Sequence, residues 1–179
     1  MKRLALIAAI TLIAAPAIAA LKPGAKAPNF TTQAVLGGGK PFSFTLSSAL
    51  QKGPVVLYFY PKAFTSGCTV EAHEFAEKTD DFAALGATVI GISADDIAAL
   101  TKFSATECRN KFAVAVGSKA VIKAYDATLP LVKMSNRTTY VIAPDGKIIY
   151  TYSDLSAKGH VLGSFKAVQD WRAAHPKGK

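Results

Sequence analysis

Cysteine is nearly absent from this 179-residue chain: Cys68 and Cys108 are the only two, too few for a disulfide-dense scaffold. Charged residues are sparse at 18% and aromatics stand at 9%, while half the chain is apolar, a balance that excludes intrinsic disorder. The 13 glycines and 9 prolines follow no collagen-like period, and the chain has no internal repeat and no interior linker. Basic residues outnumber acidic ones by 21 to 12, a net charge of +9, yet they form no run of five or more. Scattered lysines of this kind argue against a nucleic-acid partner. The remaining expectation is one domain with a full-sized core.

The beginning of the chain has a different character. Lys2 and Arg3 precede an apolar stretch at 4–15, broken only by Thr11, and Pro16 then leads into Ala17, Ile18, Ala19 and Ala20. A charged start, an apolar middle and an Ala-X-Ala end are the three parts of a secretory signal, so 1–20 reads as a signal peptide and 21–179 as the domain. Twelve residues at about 1.5 Å each reach about 18 Å, short of a bilayer core of roughly 30 Å, which argues against stable membrane insertion. The expected location is outside the cytoplasm, in a bacterial periplasm, where a cysteine pair persists as a disulfide. Without the leader the net charge drops to +7.

Residues 29–45 alternate weakly around Gly37, Gly38 and Gly39, which predicts a short β-hairpin at the edge of the fold. PVVLYFY at 54–60 is a continuous apolar, β-branched and aromatic run, the pattern of a strand buried on both faces, and is expected to be the central one. Helical periodicity follows. It places Ala72, Phe75, Ala76, Thr79 and Phe82 on one face, and Glu71, Glu74, Glu77, Asp80 and Asp81 on or near the other, with Gly86 as the stop. A second buried strand is expected at 87–94, then a helix capped by Asp95 or Asp96 and running to about Asn110. A strand at 112–116, a helix at 119–125, strands at 138–143 and 147–153 around Pro144-Asp145-Gly146, and a helix at 161–174 complete the order. This is an α/β layer fold, a central mixed β-sheet flanked by helices, with right-handed crossovers.

Reactive groups in such folds gather where strands end and helices begin, which directs attention to residues 60–71. Cys68 is expected in the first turn of the helix, where free amide N–H groups and the positive end of the helix dipole favour a thiolate. Thr65, three residues earlier, is placed to hydrogen-bond the sulfur or a bound oxygen, and Pro61 fixes the backbone and shields the site. Taken alone, Cys68 reads equally well as a small buried hydrophobe.

The neighbours alter that balance. Pro61, Thr65 and Cys68 form a Pro-X-X-X-Thr-X-X-Cys pattern after a strand ending in Phe59-Tyr60, which resembles the active-site signature of the peroxiredoxins, the alkyl hydroperoxide reductase/thiol-specific antioxidant type. The run from Gly67 to Ala72, GCTVEA, looks like the bacterioferritin-comigratory, or PrxQ-like, branch, and the resemblance extends over roughly residues 24 to 170. It implies a thioredoxin-like fold with the N-terminal β-hairpin as an extension, and a thiol-dependent peroxidase acting on hydrogen peroxide and organic hydroperoxides without metal or organic cofactor. Carried over by position, Cys68 is the peroxidatic cysteine, Thr65 and Pro61 are its partners, and Arg137 in Asn136-Arg137-Thr138-Thr139-Tyr140 contacts thiolate and peroxide. Glu71 either orients that arginine or is a solvated helix-face carboxylate. The implied partners are a peroxide and a thioredoxin-like or other dithiol reductant, and the implied assembly is a monomer or weak homodimer.

One departure from the branch matters. The resolving cysteine that many members carry five residues after the peroxidatic one is His73 here, about 140° around the helix from Cys68 and read as a surface or capping histidine. His160 and His175 receive the same reading, in loop and tail. Resolution then falls to Cys108, 40 residues on, or to another molecule. A position near a helix end favours access for Cys108, whereas the apolar stripe it shares with Ile97 favours the core. Joining the two sulfurs requires Cα atoms within about 7 Å, so the first turn of the Cys68 helix is expected to unwind. The absence of Cys-X-X-Cys argues against a disulfide oxidoreductase, and the absence of Cys-X-X-X-Cys against a copper-delivery module. A one-cysteine peroxidase reduced by an external thiol and an inactive thioredoxin-fold binding module remain as alternatives.

Overall fold

Valine, isoleucine and aromatic residues crowd the segments that form the middle of the sheet, and every residue of Val55–Phe59 and Thr138–Ile142 is buried. The computed structural model describes residues 20–132 and 134–176, so the predicted signal peptide lies outside the described residues except for Ala20. Seven strands form one mixed sheet: β1 (Thr31–Leu36), β2 (Phe42–Thr45), β3 (Val55–Phe59), β4 (Thr88–Ser93), β5 (Ala113–Val116), β6 (Thr138–Ile142) and β7 (Ile148–Ser153). Their spatial order is β2-β1-β5-β4-β3-β6-β7. Parallel pairing joins β3 to β4 and β4 to β5, and the other four pairings are antiparallel. The middle strand is therefore β4 rather than the 54–60 run, because β1 and β2 extend the sheet on the β5 side. Since β1 hydrogen-bonds β5 as well as β2, those two strands are part of the sheet and not an appendage to it.

Among the described residues five helices cover the sheet: α1 (Leu46–Leu50), α2 (Ser66–Ala84), α3 (Ile97–Thr106), α4 (Lys119–Ala124) and α5 (His160–Ala174). Strand side chains alternate between two cores. Val56, Tyr58 and Tyr60 point toward α2, α3 and α5, with Phe75 stacked on Tyr58 at 4.4 Å between centroids and Phe103 on Tyr60 at 5.4 Å. Val55, Leu57 and Phe59 point the other way, toward α1 and α4, among Leu46, Leu50, Ile122, Tyr125 and Tyr140. The five-residue α1 is too short to announce itself by periodicity.

Two expectations about helices need correction. Glu71, expected on or near the polar face of α2, is fully buried beside Cys68, Ala72 and Phe75. Helix α3 ends at Thr106 instead of running to about Asn110, because Arg109 and Asn110 take left-handed backbone angles (φ 51° and 58°) that no α-helix continues.

The register brings the chemistry together. Phe59 pairs with Thr138, so Arg137, one residue earlier, enters the sheet opposite the point where the chain leaves β3 at Tyr60 for the loop into α2. Ser135 ties the two segments by donating its hydroxyl to the Tyr60 carbonyl at 2.6 Å.

Candidate active site

Between β3 and α2 the chain makes a tight loop held from two sides. The Ala63 amide donates to Asp95 Oδ2 at 2.8 Å, and the Ser93 hydroxyl donates to the same oxygen at 2.8 Å, which pins the loop to the end of β4. Phe64 has a left-handed backbone (φ 63°) although it carries a bulky side chain, a strained conformation that the loop's anchors maintain. Pro61 is half-buried where the strand ends. Thr65 is the N-cap residue of α2, but its hydroxyl donates to the Lys62 carbonyl at 2.9 Å and makes no cap bond. The expected hydrogen bond from Thr65 to the sulfur is not formed in this structure, because the exposed side chain closes the loop on itself.

Cys68 lies in the first turn of α2 with 1% of its surface exposed. Arg137 Nη2 donates to Cys68 Sγ at 3.4 Å, Nη1 donates to Glu71 Oε2, and Nε donates to the Leu155 carbonyl at 2.9 Å. The guanidinium, 5% exposed, is thus fixed along three directions by its planar fork of donors. Space for it comes from Gly67, where an added Cβ would lie 3.1 Å from Nη2. Arg137 thus bridges Cys68 and Glu71, and the solvated-carboxylate reading of Glu71 fails because its position three residues after Cys68 puts it on the same buried helix face.

Burial dominates the electrostatics. It pushes the Glu71 carboxyl up to about 8, opposed but not overcome by the Arg137 guanidinium and its hydrogen bond, and helped by Glu74. Burial also works against the charge on Arg137, but Glu71 and Cys68 more than reverse that effect and hold the group above its ordinary value. A permanently charged donor therefore faces Cys68 Sγ inside the protein, where its field is poorly screened.

Sequence reasoning missed His160. It is the first residue of α5, fully buried, with Nδ1 3.6 Å from Glu71 Oε1 and 2.8 Å from the Thr139 hydroxyl. Its only sequence signal is Gly159, whose left-handed backbone (φ 100°) starts the helix and turns the histidine inward. His73 stays near the surface, bonded to Glu107 Oε2 at 2.9 Å, and His175 lies exposed against Trp171.

Cys108 is also fully buried and, like Cys68, is a free thiol. It sits beyond α3 in the turn to β5, with its amide bonded to the Phe103 carbonyl, and burial pushes its thiol well above the ordinary range. The access expected from a helix-end position is missing, since the turn folds the side chain into the core with Phe103 and Phe112. Among the described residues no cluster of three or more His, Cys, Asp or Glu side chains is arranged to hold a metal ion, and no helix is long and apolar enough to cross a membrane.

A thioredoxin-like sheet with a cysteine at the start of α2 and an arginine on its sulfur defines a class, and the sequence comparisons agree with it. Residues 23–151 match the AhpC/TSA family, to which the chain belongs. A putative peroxiredoxin of Mycobacterium tuberculosis is 34% identical over 151 residues, spanning 79% of this chain and 90% of that protein. Peroxiredoxin Bcp of Escherichia coli K12 is 30% identical over 134 residues, 68% of this chain and 79% of its own. The crystal structure of peroxidoxin BcpB from M. tuberculosis superposes with a TM-score of 0.73 at 30% identity, covering 84% of this chain and 97% of that one. M. tuberculosis AhpC, at 19% identity and a TM-score of 0.76, shares the fold. The chain is a peroxiredoxin of the Bcp/PrxQ-like branch and a thiol-dependent peroxidase, with a peroxide as substrate and a thiol as reductant.

Proposed function

We propose that Cys68 is the peroxidatic residue, and the observation that carries this reading is the Arg137 Nη2 contact to Cys68 Sγ at 3.4 Å in the first turn of α2. The thiolate attacks the terminal oxygen of hydrogen peroxide or an organic hydroperoxide and forms an S–O bond as the O–O bond breaks. The departing oxygen leaves as hydroxide or alkoxide and takes a proton to become water or alcohol, and Cys68 is left as a sulfenic acid. Arg137 carries positive charge to the point where negative charge passes from sulfur to the leaving oxygen. Thr65, whose hydroxyl donates to Lys62, keeps its lone pairs to accept a hydrogen bond from the peroxide. Pro61 walls the entry, and Glu71 positions Arg137.

Cys108 resolves the sulfenic acid: its thiol sulfur displaces water to give a Cys68–Cys108 disulfide, which an external dithiol reduces back to two thiols. Both sulfurs are buried, so this step needs the first turn of α2 and the 107–112 turn to open. The left-handed pair Arg109 and Asn110 supports such an opening, because both residues relax once released. The protein acts outside the cytoplasm after loss of residues 1–20. This is supported by the charged start, apolar middle and Ala-X-Ala end of residues 1–20.

The test is peroxide consumption by the mature protein with an added dithiol, followed by intact mass after one equivalent of peroxide. Loss of two hydrogens that disappears in Cys108→Ser supports the internal disulfide. Gain of oxygen with no disulfide in the unmutated protein identifies a one-cysteine peroxidase, and failure to consume peroxide leaves only the binding-module reading.

A further inference from the structure

Buried imidazoles must have both nitrogens satisfied, and His160 is one placed three contacts away from the reactive sulfur. Nε2 lies 3.0 Å from the Asp154 carbonyl oxygen, which can only accept, so Nε2 carries the proton. Nδ1 is then an acceptor in the neutral ring, and the Thr139 hydroxyl donates to it at 2.8 Å. The ring packs edge-on against Tyr152 at 4.7 Å between centroids.

Glu71 Oε1 faces this nitrogen at 3.6 Å, beyond hydrogen-bond reach, and has no hydrogen-bond partner among the described residues, while Oε2 accepts from Arg137. We propose that His160 is a positioning residue of the peroxide site: the Nδ1 edge of its ring packs against the free oxygen of Glu71 and confines that carboxyl, and Glu71 in turn fixes the Arg137 guanidinium against Cys68 Sγ. The proposal rests on the peroxidase reading of Cys68 and extends its site to α5.

The proton inventory supports this. Burial draws His160 down to about 4 and pushes Glu71 up to about 8, so the same dry surroundings favour the uncharged form of both groups. The less charge Glu71 carries, the more of the positive charge of Arg137 is directed to the sulfur rather than shared with a carboxylate. The other charged or titratable groups facing the pair are Cys68 and Glu74 from α2, Tyr58 from β3, Arg137 before β6, and Tyr152 and Asp154 from β7 and its loop. Two backbone carbonyls of that loop are used together, Asp154 by His160 and Leu155 by Arg137, so the imidazole and the guanidinium are held by one turn of chain.

The experiment uses two amides that mimic different halves of the ring, in a Cys108→Ser background. Asparagine at 160 places a polar atom where Nδ1 was, and glutamine places one where Nε2 was. Expected for H160Q is a roughly tenfold lower rate constant with hydrogen peroxide at pH 7 and a smaller thiolate absorbance of Cys68, with H160N restoring both to within about twofold of the parent. A loss equal in both variants, or one confined to H160N, assigns His160 to the Asp154 loop and overturns the proposal. The thiolate absorbance is read without peroxide, so a parent protein inert to peroxide rejects the peroxidase reading while the His160 claim is still decided. Should either variant fail to fold, the ¹⁵N shifts of the His160 imidazole in the unmutated protein decide: Nδ1 responds when the Cys68 thiol ionises if the chain of contacts is real, and stays fixed if it is not.

Discussion

Replacing Arg137 by methionine removes the guanidinium charge that touches Cys68 and keeps much of the side-chain volume. The lost contact is a charge-assisted hydrogen bond at 3.4 Å inside the protein. Such bonds contribute about 1.5–3 kcal/mol, which at about 1.4 kcal/mol per decade is a fall of roughly 10- to 150-fold in the peroxide rate constant at pH 7. The change also strands the Leu155 carbonyl and Glu71 Oε2, which lose their donors, so a stability loss of about 1–3 kcal/mol accompanies it. Lysine at 137 separates the two effects: it keeps the charge, but a single ammonium cannot reproduce the fork that reaches Sγ, Glu71 and Leu155 at once, so its rate is expected between the two. Stopped-flow measurement under pseudo-first-order peroxide, with urea unfolding in parallel, reads both quantities. A methionine variant that stays folded and reacts within about twofold of the parent refutes the argument that Arg137 supplies the field at Cys68.

Three further outcomes follow from the same geometry. Gly67→Ala places a Cβ 3.1 Å from Arg137 Nη2, so the guanidinium shifts by a few tenths of an ångström; the peroxide rate should fall about threefold or more while thermal stability holds or rises, alanine being up to about 1 kcal/mol the better helix former. A fall in both rate and melting temperature would instead indicate a disrupted helix start. His160, held down at about 4, stays neutral in the folded protein while the unfolded chain takes up a proton near 6.5, so its stabilisation is full above pH 6.5 and is lost as pH drops toward 4. That interval corresponds to about 3 kcal/mol, and urea midpoints at pH 7 and 4.5 should differ less in H160N than in the parent; equal differences would remove His160 as the cause. Glu71 acts with the opposite sign, because a carboxyl raised to about 8 stabilises the fold below pH 4.5 and loses that contribution as pH rises through 8. In Glu71→Gln the erosion of stability between pH 6.5 and 8.5 should therefore flatten, and an unchanged slope would show that the carboxyl ionises freely.

Much of this site was legible from the residues because local pattern and tertiary environment agree. A fully apolar run at 54–60, short and rich in β-branched and aromatic residues, reads as a strand buried on both faces, and the loop and helix after it place Cys68 at a helix start without any knowledge of the rest. Arg137 was reachable only through the family resemblance: nothing in Asn136-Arg137-Thr138 signals that antiparallel pairing of β3 with β6 sets it opposite Tyr60. Glu71 was misplaced by periodicity because a glutamate on a helix reads as solvated until its partner is known, and that partner is 66 residues away. His160 was invisible for the same reason, its burial being created by Glu71, Thr139 and Asp154 from three other segments. For Cys108 the apolar spacing was read correctly and the helix end was not, since left-handed backbone at Arg109 and Asn110 leaves no compositional trace where glycine is absent.

The central claim is that peroxide is reduced at Cys68 through a sulfenic acid, and the most direct measurement isolates that sulfur. Mature protein carrying Cys108→Ser, treated with one equivalent of hydrogen peroxide in the presence of dimedone, is digested and mapped by mass spectrometry. The predicted result is a stoichiometric dimedone adduct on the peptide containing Cys68, formed as fast as the peroxide disappears. Peroxide that persists while Cys68 remains an unmodified thiol would contradict the account.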